Sequence, residues 1–438
     1  MRRWPQRAAE WTRAVIKERL LPFLNRLKFW ERGFPPEVPP LTGTAPGKHA
    51  VAHFAWFMSA GIQYKPVQER HVSMLEQAVG KYFLPAGVKT WFASESGRRI
   101  MLLKRGLIGR GSFGLVFHVE HPLTREVFAL KIFARDKNAI NFEIDPREIE
   151  TERQIVDVFE PGWTPERIYS EKHFMVPLET LSVEGKPAVV NVGKRFQILN
   201  TCLLFPKAQG DLLSLLHQLD GSEQAFTARM SITIQIIRLL ASFHALGLVH
   251  GDVKPDNFLV DRSGFLLLSD FTRVFRKGAV EVPQAFTVAF MAPEIANVWM
   301  QWTSRLKYEP STDSWPLGCT IHEVWCNTLP FGIMPSHDAN QVVGLIRQAR
   351  ASSLNFHSCN GIPETIQTVV RNFLTKSPAK RLTPQQALDQ FSLLRTWQPP
   401  PKVTPISDTI LKGEPDPAPP GALHGSFDPR LLERRHSI

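Results

Sequence analysis

Apolar residues at helical spacing open the chain. They recur every three or four residues, at Trp4, Ala8, Trp11 and Val15. Leucines continue this stripe as far as Leu27, although Pro22 is expected to kink or split the helix. Residues 1–32 contain nine Lys and Arg but three Glu, which predicts a basic amphipathic helix that can lie in an acidic membrane interface. A helix packed on its own domain and a disordered basic arm are the alternatives.

Proline content marks two further segments. Residues 33–47 form a Pro-rich linker, and residues 398–438 form a Pro-rich tail that we expect to be disordered. Residues 48–100 hold too many large apolar side chains for a linker, so they predict an extension packed on the domain that follows. The pattern becomes strand-like near residue 98, and residues 101–397 are assigned to that domain.

Composition narrows the class of protein. Hydrophobic residues are 43% of the 438, which is ordinary for a globular chain. The net charge of +11 favours anionic partners such as nucleotide phosphates, acidic lipids, acidic proteins or nucleic acid. Four cysteines without CxxC spacing predict neither a disulfide scaffold nor a zinc site. No apolar stretch reaches about 18 residues and no signal sequence opens the given chain, so we expect neither a membrane-spanning helix nor a leader in it.

A glycine-rich loop follows the first strand of this domain. The residues assigned to it as a nucleotide-binding loop are Gly109, Gly111, Ser112, Phe113, Gly114 and Val116. Glycines allow backbone amides to approach phosphate oxygens, and Val116 is positioned to cover a purine ring. Taken alone, the pattern also fits a dinucleotide-binding loop, but such a loop opens a helix, whereas here strand-like sequence lies on both sides.

A lysine ends the apolar strand that follows the loop. Lys131, in Phe-Ala-Leu-Lys, is predicted to neutralise nucleotide phosphates. It needs a carboxylate from the next helix, which offers Glu148, Glu150 and Glu152. Glu152 has apolar residues three and four positions later, as a buried helix face requires, and is therefore predicted to be the partner.

Two further loops carry the remaining chemistry. In the segment from residue 249 to residue 257, Asp252 is predicted to position a substrate hydroxyl and Lys254 to touch the transferring phosphate. Asn257 and Asp270 are predicted to bind Mg²⁺, and Asp270 follows an apolar strand. These residue types at these spacings resemble the protein kinase template, which implies phosphoryl transfer from ATP with Mg²⁺ as cofactor.

Other positions follow from these anchors. The remaining residues assigned to the adenine and ribose pocket are Ala129, Leu204, Phe205, Lys207, Asp211 and Leu259. Leu204 is predicted to guard the back of the pocket, and the run from Phe205 to Lys207 to form the hinge. Outside the pocket, Arg381 is expected to pair with Glu294, and Asp313 to brace the catalytic loop.

In this order, the motifs from residue 101 to residue 397 resemble those of the protein kinases. The resemblance implies an α+β bilobal fold, with a small antiparallel-sheet lobe plus a helix and a larger helical lobe. The lysine at position 254 is typical of serine/threonine kinases. The segments that narrow the resemblance to the rhoptry kinases of apicomplexan parasites are FPKAQGDLLSLL, IRLLASFHALGLVH, IHEVWCNTLPF and SCNGIPETI.

The rhoptry resemblance carries further implications. It implies a catalytically competent, secreted effector that is attached to the parasitophorous vacuole membrane through the N-terminal helix and acts on a host or parasite protein. It also implies a disulfide between Cys326 and Cys359, while Cys202 and Cys319 are predicted to be buried free thiols. A pseudokinase scaffold is the main alternative. Nucleic-acid binding is a weaker one, because no reader motif accompanies the basic charge.

Two positions depart from the kinase pattern. Gly251 replaces the arginine that usually receives an activating phosphate, and Pro283 stands where the phosphorylated residue usually lies. The stretch between Asp270 and Glu294 is the activation segment of the kinase pattern. We therefore predict that this segment is held in place without phosphorylation, by packing of Val280, Val282 and Phe286.

Thr272 replaces the glycine that usually follows Asp270-Phe271. A β-branched residue is stiffer than glycine, which predicts fewer flipped, inactive conformations of this loop and weak binding of inhibitors that need them.

Overall fold

The structure is a computed structural model that describes residues 73–397, apart from 112–113, 138–145, 220, 262–264, 284–286, 300–304, 335 and 360. The predicted basic helix (1–32), the linker (33–47) and the tail (398–438) lie outside the described residues. Of the predicted extension, residues 73–100 are described. No helix in these described ranges is long and apolar enough to cross a membrane.

The small lobe is built from antiparallel strands and three helices. Its strands are β1 (Lys89–Ser94), β2 (Arg99–Gly111), β3 (Gly114–Glu120), β4 (Val127–Asp136), β5 (Glu179–Val183), β6 (Val189–Val192) and β7 (Phe196–Pro206). Its helices are α1 (Met74–Tyr82), α2 (Pro146–Gln154) and α3 (Pro165–Lys172). The strand order is β4-β3-β2-β1-β5-β7-β6, and β4 also pairs with β7. Six strands therefore close into a ring, because the first and sixth strands of the order are themselves paired.

The extension supplies the strand that closes this ring. Phe92 of β1 pairs with Ile100 of β2 on one side and with Val183 of β5 on the other. Ser73 caps the N-terminus of α1, and its hydroxyl accepts a hydrogen bond from the Glu76 amide at 3.1 Å. The predicted domain boundary at residue 101 thus falls inside β2, so residues 73–100, the described part of the extension, belong to the small lobe.

The interior of the ring is apolar. Its buried cluster joins residues of α1 with residues from six strands, among them Val79, Phe92, Leu102, Phe117, Leu130 and Leu204. Closing the sheet removes the two free edges that an open sheet would expose. The cluster takes up one face of each of these strands.

Helix α2 lies against the large lobe and is tied to the extension. Its buried positions are Ile149 and Glu152, followed by Ile155 just after the helix. Arg153 points the other way, and its Nη2 lies 2.5 and 2.6 Å from the carboxylate oxygens of Glu95, in the turn between β1 and β2. The extension therefore contacts the helix that carries the predicted catalytic glutamate.

The large lobe is mainly helical. Its helices are α4 (Leu212–Leu216), α5 (Glu223–Ala245), α6 (Pro293–Trp299), α7 (Pro310–Cys326), α8 (Ala339–Gln348), α9 (Glu364–Phe373), α10 (Pro384–Gln390) and α11 (Ser392–Thr396). Its short strands are β8 (Gly210–Asp211), β9 (Leu248–Val249), β10 (Phe258–Val260), β11 (Leu266–Leu268), β12 (Phe275–Arg276), β13 (Val280–Glu281) and β14 (Leu306–Lys307). The centre is fully buried around α5 and α7, where the Trp325 indole donates to the Thr233 hydroxyl at 3.0 Å.

The four cysteines are distributed as the sequence indicated. Cys326, at the end of α7, forms a disulfide with Cys359, which confirms the pairing implied by the rhoptry resemblance. Cys202 and Cys319 are buried free thiols, and burial raises the pKa of both. Low thiolate content makes these two cysteines poor nucleophiles, so their role is packing.

Candidate active site

The glycine loop is the tip of the β2–β3 hairpin. Gly111 pairs with Gly114, and Ser112 and Phe113 between them lie outside the described residues. A Cβ on Gly114 would lie 2.1 Å from the carbonyl oxygen of Ile132, so only glycine fits there. Val116 packs, partly buried, against the cluster that contains Ala129 and Phe205. Val116, just after the tip of the hairpin, thus lies beside two residues that the sequence assigns to the nucleotide pocket.

Lys131 is held by the glutamate that the helical pattern selected. Its Nζ lies 2.6 Å from Glu152 Oε2, and the Glu152 side chain is 3% exposed. The same Nζ lies 3.5 Å from Asp270 Oδ1. Burial acts to lower the pKa of Lys131, but the two carboxylates raise it overall, so the lysine stays charged. Glu150 instead pairs with Arg153 at 2.7 Å, on the outer side of α2.

The segment from residue 249 to residue 257, the catalytic loop, brings the predicted residues Lys254 and Asn257 to Asp252, and Thr287 joins them from further along the chain. Lys254 Nζ donates to Asp252 Oδ2 at 2.9 Å, and the Thr287 hydroxyl donates to Asp252 Oδ1 at 2.8 Å. Asn257 Nδ2 donates to the backbone oxygen of Asp252 at 2.7 Å. Burial acts to raise the pKa of Asp252, but Lys254, Arg273 and these hydrogen bonds bring it below its usual range. The carboxylate is therefore ionised and fixed in direction.

Asp270 lies two residues after the end of β11, and its carboxylate faces Lys131. Its backbone is left-handed (φ 61°), and the Phe271 ring that follows is fully buried against Phe243 and His250. The Thr272 hydroxyl donates to Asp270 Oδ1 at 2.9 Å. The threonine that replaces glycine therefore adds a hydrogen bond to a predicted metal ligand. No feature of the sequence indicated this hydrogen bond.

The donor set suits a magnesium ion. Asn257 uses its amide nitrogen toward Asp252, which leaves its amide oxygen as the available ligand. Asp270 offers a carboxylate oxygen. Burial acts to raise the pKa of Asp270, but the positive charge of Lys131 outweighs burial, so the pKa is lowered overall. Amide and carboxylate oxygens are ligands that Mg²⁺ prefers, with phosphate and water completing its shell. Asn257 and Asp270 would hold the ion, which would supply positive charge to neutralise the phosphates.

One adenine-pocket assignment is wrong. The side chain of Leu204 belongs to the cluster inside the ring, together with its strand partner Leu130. Leu203 and Phe205 belong to a different buried cluster, the one that contains Ala129 and against which Val116 packs. Successive side chains of a strand point to opposite faces, so an assignment shifted by one residue selects the wrong face. Phe205, predicted as hinge, thus lines the cleft beside Ala129.

The other pocket residues lie around the cleft. Leu259 packs, partly buried, against the same cluster as Ala129, and Lys207 follows β7 at the predicted hinge. The Asp211 carboxylate accepts from the Ser214 amide at 2.7 Å and caps α4. This capping contact gives Asp211 a structural task in addition to the predicted contact with ribose or substrate.

Two predicted structural contacts support the loops. Asp313 of α7 accepts hydrogen bonds from the backbone amides of His250 at 2.7 Å and Gly251 at 2.9 Å. Arg381 is fully buried and pairs with Glu294 through two contacts of 2.7 and 2.8 Å. Both predictions are confirmed, and both pairs fix backbone rather than reacting atoms.

The fold and the site together define a protein of the protein kinase class. The family model described as kinase-like matches residues 91–381. The chain is 46% identical to the serine/threonine-protein kinase ROP17 of Toxoplasma gondii over 95% of its own length and 68% of that relative. It is 29% identical to the serine/threonine-protein kinase ROP18 of the same organism, over 70% of the chain and 53% of the relative. The chain belongs to the rhoptry kinase family.

Solved structures show the same fold. The ROP18 kinase domain in complex with AMP-PNP and sucrose superposes with a TM-score of 0.62 at 25% identity, covering 79% of this chain and 93% of that one. ROP2 from Toxoplasma gondii, described as having a protein-kinase fold and no enzymatic activity, superposes with a TM-score of 0.64 at 20% identity, covering 79% and 96%. At that identity the second likeness concerns the fold alone.

Proposed function

We propose that this chain is an active serine/threonine protein kinase that uses ATP and Mg²⁺. The observation that carries the proposal is the Asp252 cluster, in which Lys254, Thr287 and Asn257 all contact one buried aspartate. Such an aspartate orients the attacking hydroxyl, and Lys254 balances charge on the transferring phosphoryl group. The proposal is supported by Lys131, whose Nζ lies 3.5 Å from Asp270, and by the oxygen ligands that Asp270 and Asn257 offer. A γ-phosphate transfer assay on a generic basic protein tests this proposal against the pseudokinase alternative.

We also propose the biological setting. The rhoptry relatives favour a secreted effector, and the basic segment 1–32 favours attachment to an acidic membrane such as that of the parasitophorous vacuole. Binding of the full chain to acidic liposomes but not to neutral ones is expected. Equal binding to both, or binding to nucleic acid alone, would contradict the proposal.

The activation segment is expected to need no phosphate. The predicted packing of Val280 is wrong, because its side chain is 48% exposed, and Phe286 lies outside the described residues. The segment is held instead by strand pairing of β12 with β9 and of β13 with β14. Protein from a host without kinases should therefore transfer phosphate at the same rate before and after phosphatase treatment. Activity that appears only after phosphorylation of the segment would refute this expectation.

The Thr272 hydroxyl should tune magnesium binding. Thr272→Val keeps the shape of the side chain but loses the hydrogen bond to Asp270, which is worth about 1–1.5 kcal/mol. The Mg²⁺ concentration for half-maximal activity should rise about five- to tenfold. Thr272→Ser, which keeps the hydroxyl, is the matched control. If Thr272→Val and the native protein saturate at the same Mg²⁺ concentration, the hydroxyl has no such role.

A further inference from the structure

Gly251 stands at a point where no side chain fits. Its φ is +78°, in the left-handed region that favours glycine. A Cβ there would lie 2.6 Å from the backbone oxygen of Arg273 and 2.8 Å from a ring carbon of Phe275. The activation segment itself therefore fills the space in which the usual arginine would begin.

The ring of Phe275 is held by a second aromatic residue. It stacks on Tyr308 with ring centroids 3.6 Å apart and planes within 10° of each other. Tyr308 is fully buried. Its backbone also exchanges two hydrogen bonds with the segment, from the Gly278 amide at 2.7 Å and to the Ala279 oxygen at 2.8 Å. Tyr308 thus contacts the activation segment through both its ring and its backbone.

Tyr308 is connected to the catalytic loop through α7. It lies two residues before the start of α7, and Asp313 in the first turn of that helix accepts from the amides of His250 and Gly251. Phe275 is itself paired with Val249, just before the catalytic loop. The segment and the loop are therefore anchored to the same helix and to each other.

Two candidate-site residues flank the anchored residues 275–281 in the chain. Asp270, the predicted metal ligand, precedes them, and Thr287, which follows them, donates to Asp252 at 2.8 Å. A shift of the segment would move that hydroxyl and release one side of the Asp252 carboxylate. Misplacement by about 1 Å can cost about 100-fold in rate.

We propose that Phe275 and Tyr308 are positioning residues for Asp252, and that their stack over Gly251 performs the work of a phosphate bound to arginine. The inference rests on the proposed kinase activity and names the residues that make it independent of phosphorylation. A neutral aromatic contact replaces a charged one, so the hold on the segment does not depend on a second kinase.

The test compares Tyr308→Ala with Tyr308→Phe in full-length protein made in a host without kinases. Tyr308→Ala should lower kcat about 10- to 100-fold with little change in the KM for ATP, because the nucleotide pocket does not touch the stack. Tyr308→Phe keeps the stacked ring and should retain the native kcat. Phe275→Leu, at a partly buried position, provides a second variant if Tyr308→Ala does not fold.

Hydrogen exchange gives a readout that does not need activity. In Tyr308→Ala, the amides of Lys277 and Gly278 should exchange faster, since both are held beside the stack. Unchanged exchange together with native kcat in Tyr308→Ala and Phe275→Leu would overturn the proposal. If the native protein transfers no phosphate, the proposed activity fails, while the exchange result still decides whether the stack holds the segment.

Restoring the usual arginine supplies an opposite expectation. Gly251→Arg should lower kcat and accelerate exchange of the segment, because the added side chain displaces Phe275 and meets the Arg273 oxygen. Gain of activity in this variant would contradict the proposed role of the stack.

Discussion

Asp252→Asn should lower kcat for phosphate transfer by about 10²–10⁴, the usual contribution of a positioned acid–base group. The amide has the same shape and still accepts from Thr287, but it cannot take the proton from a substrate hydroxyl. It also loses the negative charge that holds Lys254 at 2.9 Å. The effect should fall on kcat rather than on the KM for ATP, because Asp252 faces the hydroxyl and not the adenine.

Asp256→Asn is the matched control for this prediction. Asp256 lies in the same loop, four residues along the chain, and is partly exposed. Its loss should change kcat by less than about threefold, in keeping with the small effects of partly exposed charges. Equal thermal midpoints for both variants would show that the loop remains folded. Retention of more than a tenth of the native kcat in Asp252→Asn would contradict its assignment as the residue that positions the hydroxyl.

Glu152→Gln should lower kcat/KM for ATP by about 100-fold or more. Glu152 and Lys131 form a buried pair with a separation of 2.6 Å. Removing one charge of such a pair typically costs about 3–5 kcal/mol, since the remaining charge is left without its compensation. Lys131 would then turn toward Asp270, which already lies at 3.5 Å, and both phosphate and magnesium contacts would be disturbed.

Glu150→Gln is the control that tests the register of α2. Glu150 pairs with Arg153 at a partly exposed position, where an ion pair contributes about 0–1 kcal/mol. We expect less than about a threefold change in kcat/KM. If Glu150→Gln carried the larger loss, α2 would present a different face to Lys131 and the assignment of Glu152 would be wrong.

Most residues of the candidate site could be brought together by reasoning from the sequence. The separations within the segment from Asp252 to Asn257 are short, so one loop conformation brings those side chains together. Glu152 was chosen by the apolar residues that follow it, because a helix repeats every 3.6 residues and a buried face shows in that repeat. The contact with Lys131, 21 residues away in the chain, agrees with that choice.

For the extension, the sequence predicted packing on the kinase domain but not the strand pairing that produces it. Its apolar residues indicated that it packs on the kinase domain, but not that β1 closes the sheet between β2 and β5. Strand pairing between distant segments leaves no mark in either strand alone. For the same reason the contact of Glu95 with Arg153 had no sequence signal.

Phosphoryl transfer could be predicted from the sequence alone, since the phosphate loop, Lys131, Asp252 and Asp270 are recognisable from residue types at short spacings. Which face of a strand meets the cleft is known only from the tertiary structure, in which Leu204 lies inside the ring and not at the predicted adenine pocket. The tertiary structure also brought Phe275 and Tyr308 together over Gly251. The difference has a physical cause: local spacing is fixed by the covalent chain, whereas contacts between distant residues arise only when the whole core packs.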